Sequence, residues 1–226
     1  MTVRPDSRLL SAAAYVRQGA VLADIGTDHA HLPVFLWGEG RLRGAYACDV
    51  AEGPCERARR NISAAGLADK ISVIMTDGMT ALDGLGITDY AVCGMGGDLI
   101  ASLIDRAPHL KDPALRLILL PMTHADRLRA YLAEQGFVIE EETLSLAAGK
   151  RYACLCASYT GEPYALSLLE ACFGRYNLDR PSEILLAMIR KKEQALRTRL
   201  SAVEDGEAAR LLAQIERYLY DRTIPV

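Results

Sequence analysis

The chain lacks any Cys-x-x-Cys pair. Its six cysteines, Cys48, Cys55, Cys93, Cys154, Cys156 and Cys172, are scattered, and Cys154-x-Cys156 alone is a poor zinc signature, so no metal site is expected. No apolar run approaches the length that spans a bilayer; the run at residues 117–122 suits a buried strand. The opening residues carry no apolar core of a secretory signal. These absences point away from membranes and secretion and toward a cytoplasmic protein with reduced thiols. A positive excess is missing as well. The formal net charge is -3, which does not announce a nucleic-acid binder. No internal repeat or low-complexity tract interrupts the 226 residues.

What is present is an ordinary globular composition, 50% hydrophobic and 24% charged. The length suits one good-sized domain with an appendage, or two small domains. Charge is uneven. Arg190-Lys191-Lys192 is followed by Arg197 and Arg199 with only Glu193 opposing, and Arg4, Arg8, Arg17, Arg41 and Arg43 lie near the first helices. Any one such run is more often a solvated face than a binding site.

Apolar strand-like runs alternate with helix-like stretches. Strands are expected at residues 20–25, 44–50, 71–76, 89–93 and 115–120, with helices at 6–16, 30–36, 52–65, 98–107 and 124–135. Five such alternations predict a parallel sheet covered by helices on both faces. Two more strands, at 137–144 and 151–159, follow in direct succession near Gly149-Lys150. So short a link cannot join parallel neighbours, so one of them must run antiparallel. After Gly161-Glu162-Pro163 everything reads helical: one helix at 164–176, a second opened by Pro181, and a third after the break at Glu204-Asp205-Gly206. The last two suggest an antiparallel hairpin. The expected division is residues 1–160 as a sheet domain and 161–226 as a helical one.

The first strand ends in Asp24-Ile25-Gly26-Thr27-Asp28-His29-Ala30. A strand-to-helix turn at the carboxyl edge of a parallel sheet is where nucleotide-like ligands bind. A dinucleotide fold wants Gly-x-Gly-x-x-Gly there to seat pyrophosphate, and that motif is missing. The carboxylates instead suit a cationic ligand. The second strand ends at Asp49-Val50, where an acid can accept ribose hydroxyl protons or cap the next helix. The third ends at Asp77-Gly78, which suits an exocyclic amine or an ordinary turn. The fourth ends in Gly94-Met95-Gly96-Gly97-Asp98, where three glycines allow close backbone approach to a ligand.

These residues resemble a known group. Asp-Ile-Gly-Thr-Asp-His-Ala at 24–30, Asp49 with Glu52-Gly53-Pro54, Gly94-Met95-Gly96-Gly97, Pro121-Met122-Thr123 and Gly149-Lys150-x-Tyr152 are similar to the bacterial tRNA (adenine(22)-N1)-methyltransferases. The likeness runs from about Leu9 through Tyr159, and the helical tail resembles that family's coiled-coil-like C-terminal domain. It implies a class I methyltransferase fold, an α/β Rossmann-like sheet of seven strands with the last antiparallel. It also implies S-adenosyl-L-methionine as cofactor and tRNA as substrate. Asp24, Gly26, Thr27, Asp49, Val50, Asp77, Gly78 and residues Gly94, Met95, Gly96 and Gly97 would then line the cofactor site. Two positions depart from the pattern: His31 stands where an aromatic residue is expected, and Leu120 where glutamine is. Both bear on the acceptor more than on the cofactor.

The implied chemistry is attack by adenine N1, a neutral ring nitrogen with a lone pair, on the sulfonium methyl, with orientation as the main source of rate. Asp28 is the candidate to stabilise the charge that develops on the base, with His29 and His31 behind it. Cofactor binding or capping is an equal account of Asp28. Arg4, Arg8, Arg190, Lys191 and Lys192 are the expected tRNA contacts, and Pro121 and Met122 the expected border of the target base. The expected assembly is a monomer or a weak homodimer. Three other readings stand beside this one: a methyltransferase for another RNA, a small molecule or a protein; a nicotinamide oxidoreductase, disfavoured by the missing glycine motif; and a cofactor-binding protein without turnover.

Overall fold

Seven apolar runs, each closed by a glycine, an acid or a turn, become strands, and the computed structural model, which describes residues 5–222, joins them in one sheet. They are β1 (Ala20–Ile25), β2 (Leu42–Asp49), β3 (Ile71–Met75), β4 (Asp89–Cys93), β5 (Arg116–Leu120), β6 (Phe137–Ala147) and β7 (Lys150–Tyr159). Their order is β3-β2-β1-β4-β5-β7-β6. The first five pair in parallel, and β7 runs antiparallel between β5 and β6. The β6–β7 turn places Ala148 and Gly149 at φ 47° and 72°, two consecutive left-handed residues whose twist matches that of the flanking strands. Most limits agree with the sequence pattern; β2 begins earlier, at Leu42, and β6 runs on to Ala147.

Nine α-helices are described: α1 (Ser7–Tyr15), α2 (His31–Gly38), α3 (Glu52–Ala64), α4 (Gly97–Asp105), α5 (Ala125–Glu134), α6 (Leu168–Phe173), α7 (Arg175–Asp179), α8 (Glu183–Leu200) and α9 (Gly206–Asp221). The central strands are buried on both faces, so alternate side chains feed two cores. Val92, Leu117 and Leu119 meet Ile100, Leu103, Leu128 and Leu132 of α4 and α5. On the opposite face Leu22, Ala91 and Ile118 meet Ala12, Leu32, Leu36 and Ile62 of α1, α2 and α3. A third cluster, including Phe173, Leu185, Ile189, Leu196 and Ile215, holds α6 to α9 together, and Leu144 of β6 packs against it. Among the described residues no helix is long and apolar enough to cross a membrane.

The helical tail corrects one expectation. The single helix expected at residues 164–176 is two short ones. The first starts only at Leu168, because Ser167 and Glu170 form a reciprocal cap, and it stops at Gly174, whose φ of 83° no helix continues through. A side chain at Gly174 would also overlap the Glu142 carboxylate. Ser182 rather than Pro181 caps α8, and Asp205 caps α9, so the Glu204-Asp205-Gly206 break is a helix start.

One buried ion pair ties the tail to the sheet. Arg129 of α5 and Glu142 of β6 have side chains 2% and 1% exposed, and Arg129 also donates to the carbonyls of Ala171 (2.9 Å) and Cys172 (3.1 Å) at the end of α6. The arginine thus satisfies both a buried carboxylate and two carbonyls near the negative end of a helix.

Candidate active site

β1 connects to β2 on one side while β4 lies on its other side, so the chain parts at the carboxyl ends of β1 and β4. A crevice opens at such a switch point in an open α/β sheet. Here it is a cleft of about 340 Å³, walled by Leu9, Gly26, His31, Cys93, Gly94 and Leu120.

The turn after β1 is held from below. The amides of Gly26 and Thr27 both donate to the Cys48 carbonyl, at 2.8 and 3.0 Å, and the Thr27 hydroxyl donates to Asp24 Oδ2 at 2.6 Å. Asp24 is 5% exposed. Burial pushes its carboxyl pKa up to about 6, against the Thr27 hydrogen bond, and the Asp49 charge pushes it the same way. A side chain at Gly26 would run into Met95, so the first and fourth strand turns touch there.

Asp28, His29 and His31 are brought together as expected. Asp28 and Ala30 take left-handed φ of 36° and 55°, a conformation non-glycine residues adopt only where the surroundings impose it. Arg57 Nε donates to Asp28 Oδ1 at 2.9 Å, one of its terminal nitrogens closes on the same oxygen, and His29 Nε2 stands 3.4 Å from Oδ2. The Arg57 guanidinium holds the Asp28 carboxyl below the usual carboxylate range. The His29 and His31 rings stack with centroids 5.2 Å apart and planes 10° apart. Burial, then the His29 charge, lowers the His31 pKa. Asn61 fixes His29 by donating to its carbonyl at 3.0 Å.

Asp49 does not cap α3. Its Oδ1 accepts from the Ala51 amide at 3.0 Å, while Ala51 stands at the cap position with no side-chain bond. Val50 beside it is 65% exposed, a large apolar side chain at the sheet edge. Asp77 is engaged differently from the expectation: Arg106 donates to both of its oxygens, at 3.0 and 3.2 Å. Gly78 follows at φ 82°.

The glycines after β4 divide into two kinds. Gly94, at φ 90°, has open space where a side chain would stand, and it lines the cleft. Gly96 and Gly97 are small because the loop after β5 presses on them: a Cβ on Gly96 would lie 3.1 Å from Thr123 Oγ1, and one on Gly97 would overlap the His124 carbonyl. Backbone bonds stitch the two loops, Gly97 to the Thr123 carbonyl and Met122 to the Met95 carbonyl, both at 2.8 Å. The ligand-approach reading thus suits Gly94, while loop packing accounts for Gly96 and Gly97.

Arg8 stands at the rim. It pairs with Asp6 at 2.6 Å, reaches Met122 Sδ at 3.6 Å and lies over the Tyr152 ring, 5.1 Å from its centroid. Pro121 is buried and Met122 half-buried. Arg190, Lys191 and Lys192 are exposed on α8, outside the cleft, and Arg4 lies outside the described residues. The sequence reading missed Arg57 and Asn61, four residues apart on α3, which hold Asp28 and His29. Their common helix face was the available signal. Among the described residues no cluster of potential metal ligands forms.

The strand order and a cleft of this make are those of a class I methyltransferase. Comparison with known proteins agrees: the family model described as "Methyltransferase domain" matches residues 6–155. The tRNA (adenine(22)-N(1))-methyltransferase of Bacillus subtilis (strain 168) is 35% identical over 150 residues, covering 66% of this chain and 63% of that protein, so the match spans less than two thirds of the curated relative's length. The crystal structure of Streptococcus pneumoniae Sp1610 in complex with S-adenosyl-L-methionine is 32% identical, with a TM-score of 0.86 over 96% of this chain and 100% of that one. The crystal structure of the B. subtilis M1A22 tRNA methyltransferase TrmK has 26% identity and a TM-score of 0.80 over 96% and 98%. The chain belongs to the tRNA (adenine(22)-N1)-methyltransferase family of the methyltransferase-domain proteins.

Proposed function

We propose that this protein transfers a methyl group from S-adenosyl-L-methionine to N1 of an adenine in tRNA, at position 22 as in its B. subtilis relative. The observation that carries the reading is the cleft at the β1–β4 switch point, with the open Gly94 backbone on one wall and the Asp28 carboxylate in its lining. The residues fit the cofactor. Gly94 leaves backbone room for its amino-acid chain, Asp24 and Thr27 stand beneath the turn after β1, and Met95 packs against Gly26 between the two turns. Asp49 stands where a ribose diol would be received, and exposed Val50 offers an apolar face to the purine. Asp77, with both oxygens held by Arg106, would meet the exocyclic amine in competition with that guanidinium. Bound there, the cofactor supplies an electrophilic methyl on a cationic sulfur.

The chain's own residues then have to align the acceptor. The lone pair of adenine N1 needs no base to free it, so positioning dominates. Methylation leaves the base cationic and its amino group more acidic. Asp28, kept anionic by Arg57, is suited to receive an amino proton's hydrogen bond and balance that charge. It is not suited to donate a proton. The stacked His29 and His31 offer a flat surface for the base, which must leave its own stack to reach them. Leu120, 2% exposed, makes that wall of the cleft apolar where the family pattern expects glutamine. Pro121 and Met122 border the same wall, and Arg8 closes its rim. Arg190, Lys191 and Lys192 supply phosphate contacts. Residues 1–160 serve as the transferase domain and 161–226 as the helical one.

The experiment is methyl transfer from labelled S-adenosyl-L-methionine to unmodified tRNA, followed by nucleoside analysis. The expected product is 1-methyladenosine. Cofactor binding without any labelled nucleoside removes tRNA as the acceptor, and absence of cofactor binding removes the reading altogether.

A further inference from the structure

Arginines across this protein are mostly spoken for. Arg17 pairs with Asp89, Arg57 with Asp28, Arg106 with Asp77, Arg129 with Glu142 and Arg175 with Glu170. Other described cations, Arg43, Arg60, Lys111 and Arg190 among them, form no carboxylate pair, but four such cations share one place. Lys150 and Arg151 at the β6–β7 turn, and Lys191 and Lys192 on α8, are exposed, and among the described residues none of the four forms an ion pair with a carboxylate. They come from segments about forty residues apart, yet all four line one groove of about 640 Å³. Like charges held together without counter-charges raise the local positive potential, which a polyanion relieves.

The rest of the groove is apolar. Phe173 and Met188 lie along the helical side, and Met122 and Tyr152 along the sheet side. Arg8, its charge met by Asp6, also touches Met122 and Tyr152, and it lines the proposed transfer cleft. Groove and cleft therefore share one partition, the Arg8 side chain. A groove of this volume is the size of a small-ligand pocket and has room for a nucleotide or two with bases turned inward, not for a turn of duplex. Cations at the rim with sulfur and aromatic side chains between them are the makings of a single-strand site, where phosphates meet the charges and base faces meet the apolar side chains.

We infer that the groove between the β6–β7 turn and α8 takes a single-stranded segment of the RNA substrate, next to the target nucleotide, and leads that nucleotide past Arg8 into the cleft. The inference rests on the proposed tRNA methyl transfer, and it commits the two segments to gripping one strand from opposite sides. Lys150 and Arg151 hold it from the sheet, Lys191 and Lys192 from the tail.

The test is titration of the full-length chain with an unmodified tRNA transcript at several salt concentrations, together with steady-state methylation. It is run on the unsubstituted protein, on Lys150→Glu, on Lys191→Glu and on the pair. Lys150→Arg and Lys191→Arg serve as charge-retaining variants, and cofactor affinity and thermal unfolding are measured on all. Each glutamate variant is expected to reduce the magnitude of the slope of log affinity against log salt by about 0.7. The pair is expected to lose at least about tenfold in tRNA affinity and to raise KM by a similar factor, with cofactor affinity and unfolding unchanged and the arginine variants near the unsubstituted protein. A double variant with the affinity, salt slope and KM of the unsubstituted protein overturns the groove. If the unsubstituted protein binds tRNA through these lysines but methylates none, the groove stands and the transfer reading falls. If it methylates tRNA and the lysines have no effect, the reverse holds.

Discussion

Arg57 and Asp28, 29 residues apart in the chain, meet at the cleft, where two guanidinium nitrogens converge on a single carboxylate oxygen. The other oxygen is left facing His29. The arginine thus fixes both the charge and the direction of the one carboxylate proposed to face the acceptor base. Asp28→Asn is expected to lower kcat by about 100-fold while cofactor affinity is retained, as measured by single-turnover methylation and calorimetry. Equal losses in both would place Asp28 in cofactor binding instead.

Arg57→Gln should act through pH. The folded-state pKa of Asp28 is depressed by Arg57, so its contribution to stability is present above the ordinary carboxylate range and is lost as pH falls through the lowered value. Removing the guanidinium lets the pKa rise, so the acid limb of kcat/KM moves to higher pH. A limb that stays in place when kcat/KM is measured across acidic pH would show that Asp28 titration does not govern it.

Asp24 has the opposite sign. Its pKa is raised from 3.8 to about 6 by burial, so its stabilising contribution is complete below pH 3.8 and is lost as pH rises to about 6. A shift of that size corresponds to about 3 kcal/mol. Asp24→Asn, which keeps an acceptor for Thr27, should flatten the pH dependence of unfolding between about pH 4 and 7 and should leave the variant more stable near pH 8. Denaturant unfolding across that range measures it. A dependence as steep as that of the unsubstituted chain would assign the effect to another group.

Gly94→Ala and Gly97→Ala separate the two uses of the glycine turn. At Gly94 an added methyl meets nothing within 4 Å, and the left-handed φ costs about 1–2 kcal/mol, so the fold should survive while cofactor affinity falls. At Gly97 the methyl meets the backbone of Thr123 at 3.0 Å and overlaps that of His124, so overpacking of about 1–3 kcal/mol and displacement of the loop after β5 are expected. Thermal unfolding with cofactor titration distinguishes the two.

Glu142→Ala leaves Arg129 buried without its carboxylate and should cost about 3–5 kcal/mol. Replacing both residues with apolar ones of similar volume should cost less, as read from denaturant midpoints. An additive double variant would show that the pair is not coupled.

The alternation of strand and helix patterns, the hairpin at the end of the sheet and the acids at successive strand ends were legible in the chain, because periodicity, glycine placement and turn residues act over a few neighbouring positions. Asp28, His29 and His31 were legible for the same reason, lying within one turn. The split at Gly174 was not: the chain turns there at φ 83°, and the Glu142 carboxylate, far away in sequence, leaves no room for a side chain at that turn. Nor was the small size of Gly96 and Gly97 readable as loop packing, since Thr123 and His124 press on them only after β4 and β5 pair.

The sequence by itself determined the sheet class, the strand-end acids and the glycine turns after β1 and β4, because backbone preferences and burial patterns are local. Only the tertiary structure decided which cations are neutralised. Arg57 and Arg106 find carboxylates that the chain order leaves 29 residues away, while Lys150, Arg151, Lys191 and Lys192 converge on one groove with none. Charge acts through space rather than along the chain, so the surface that remains positive is set by the packing of α8 beside the β6–β7 turn.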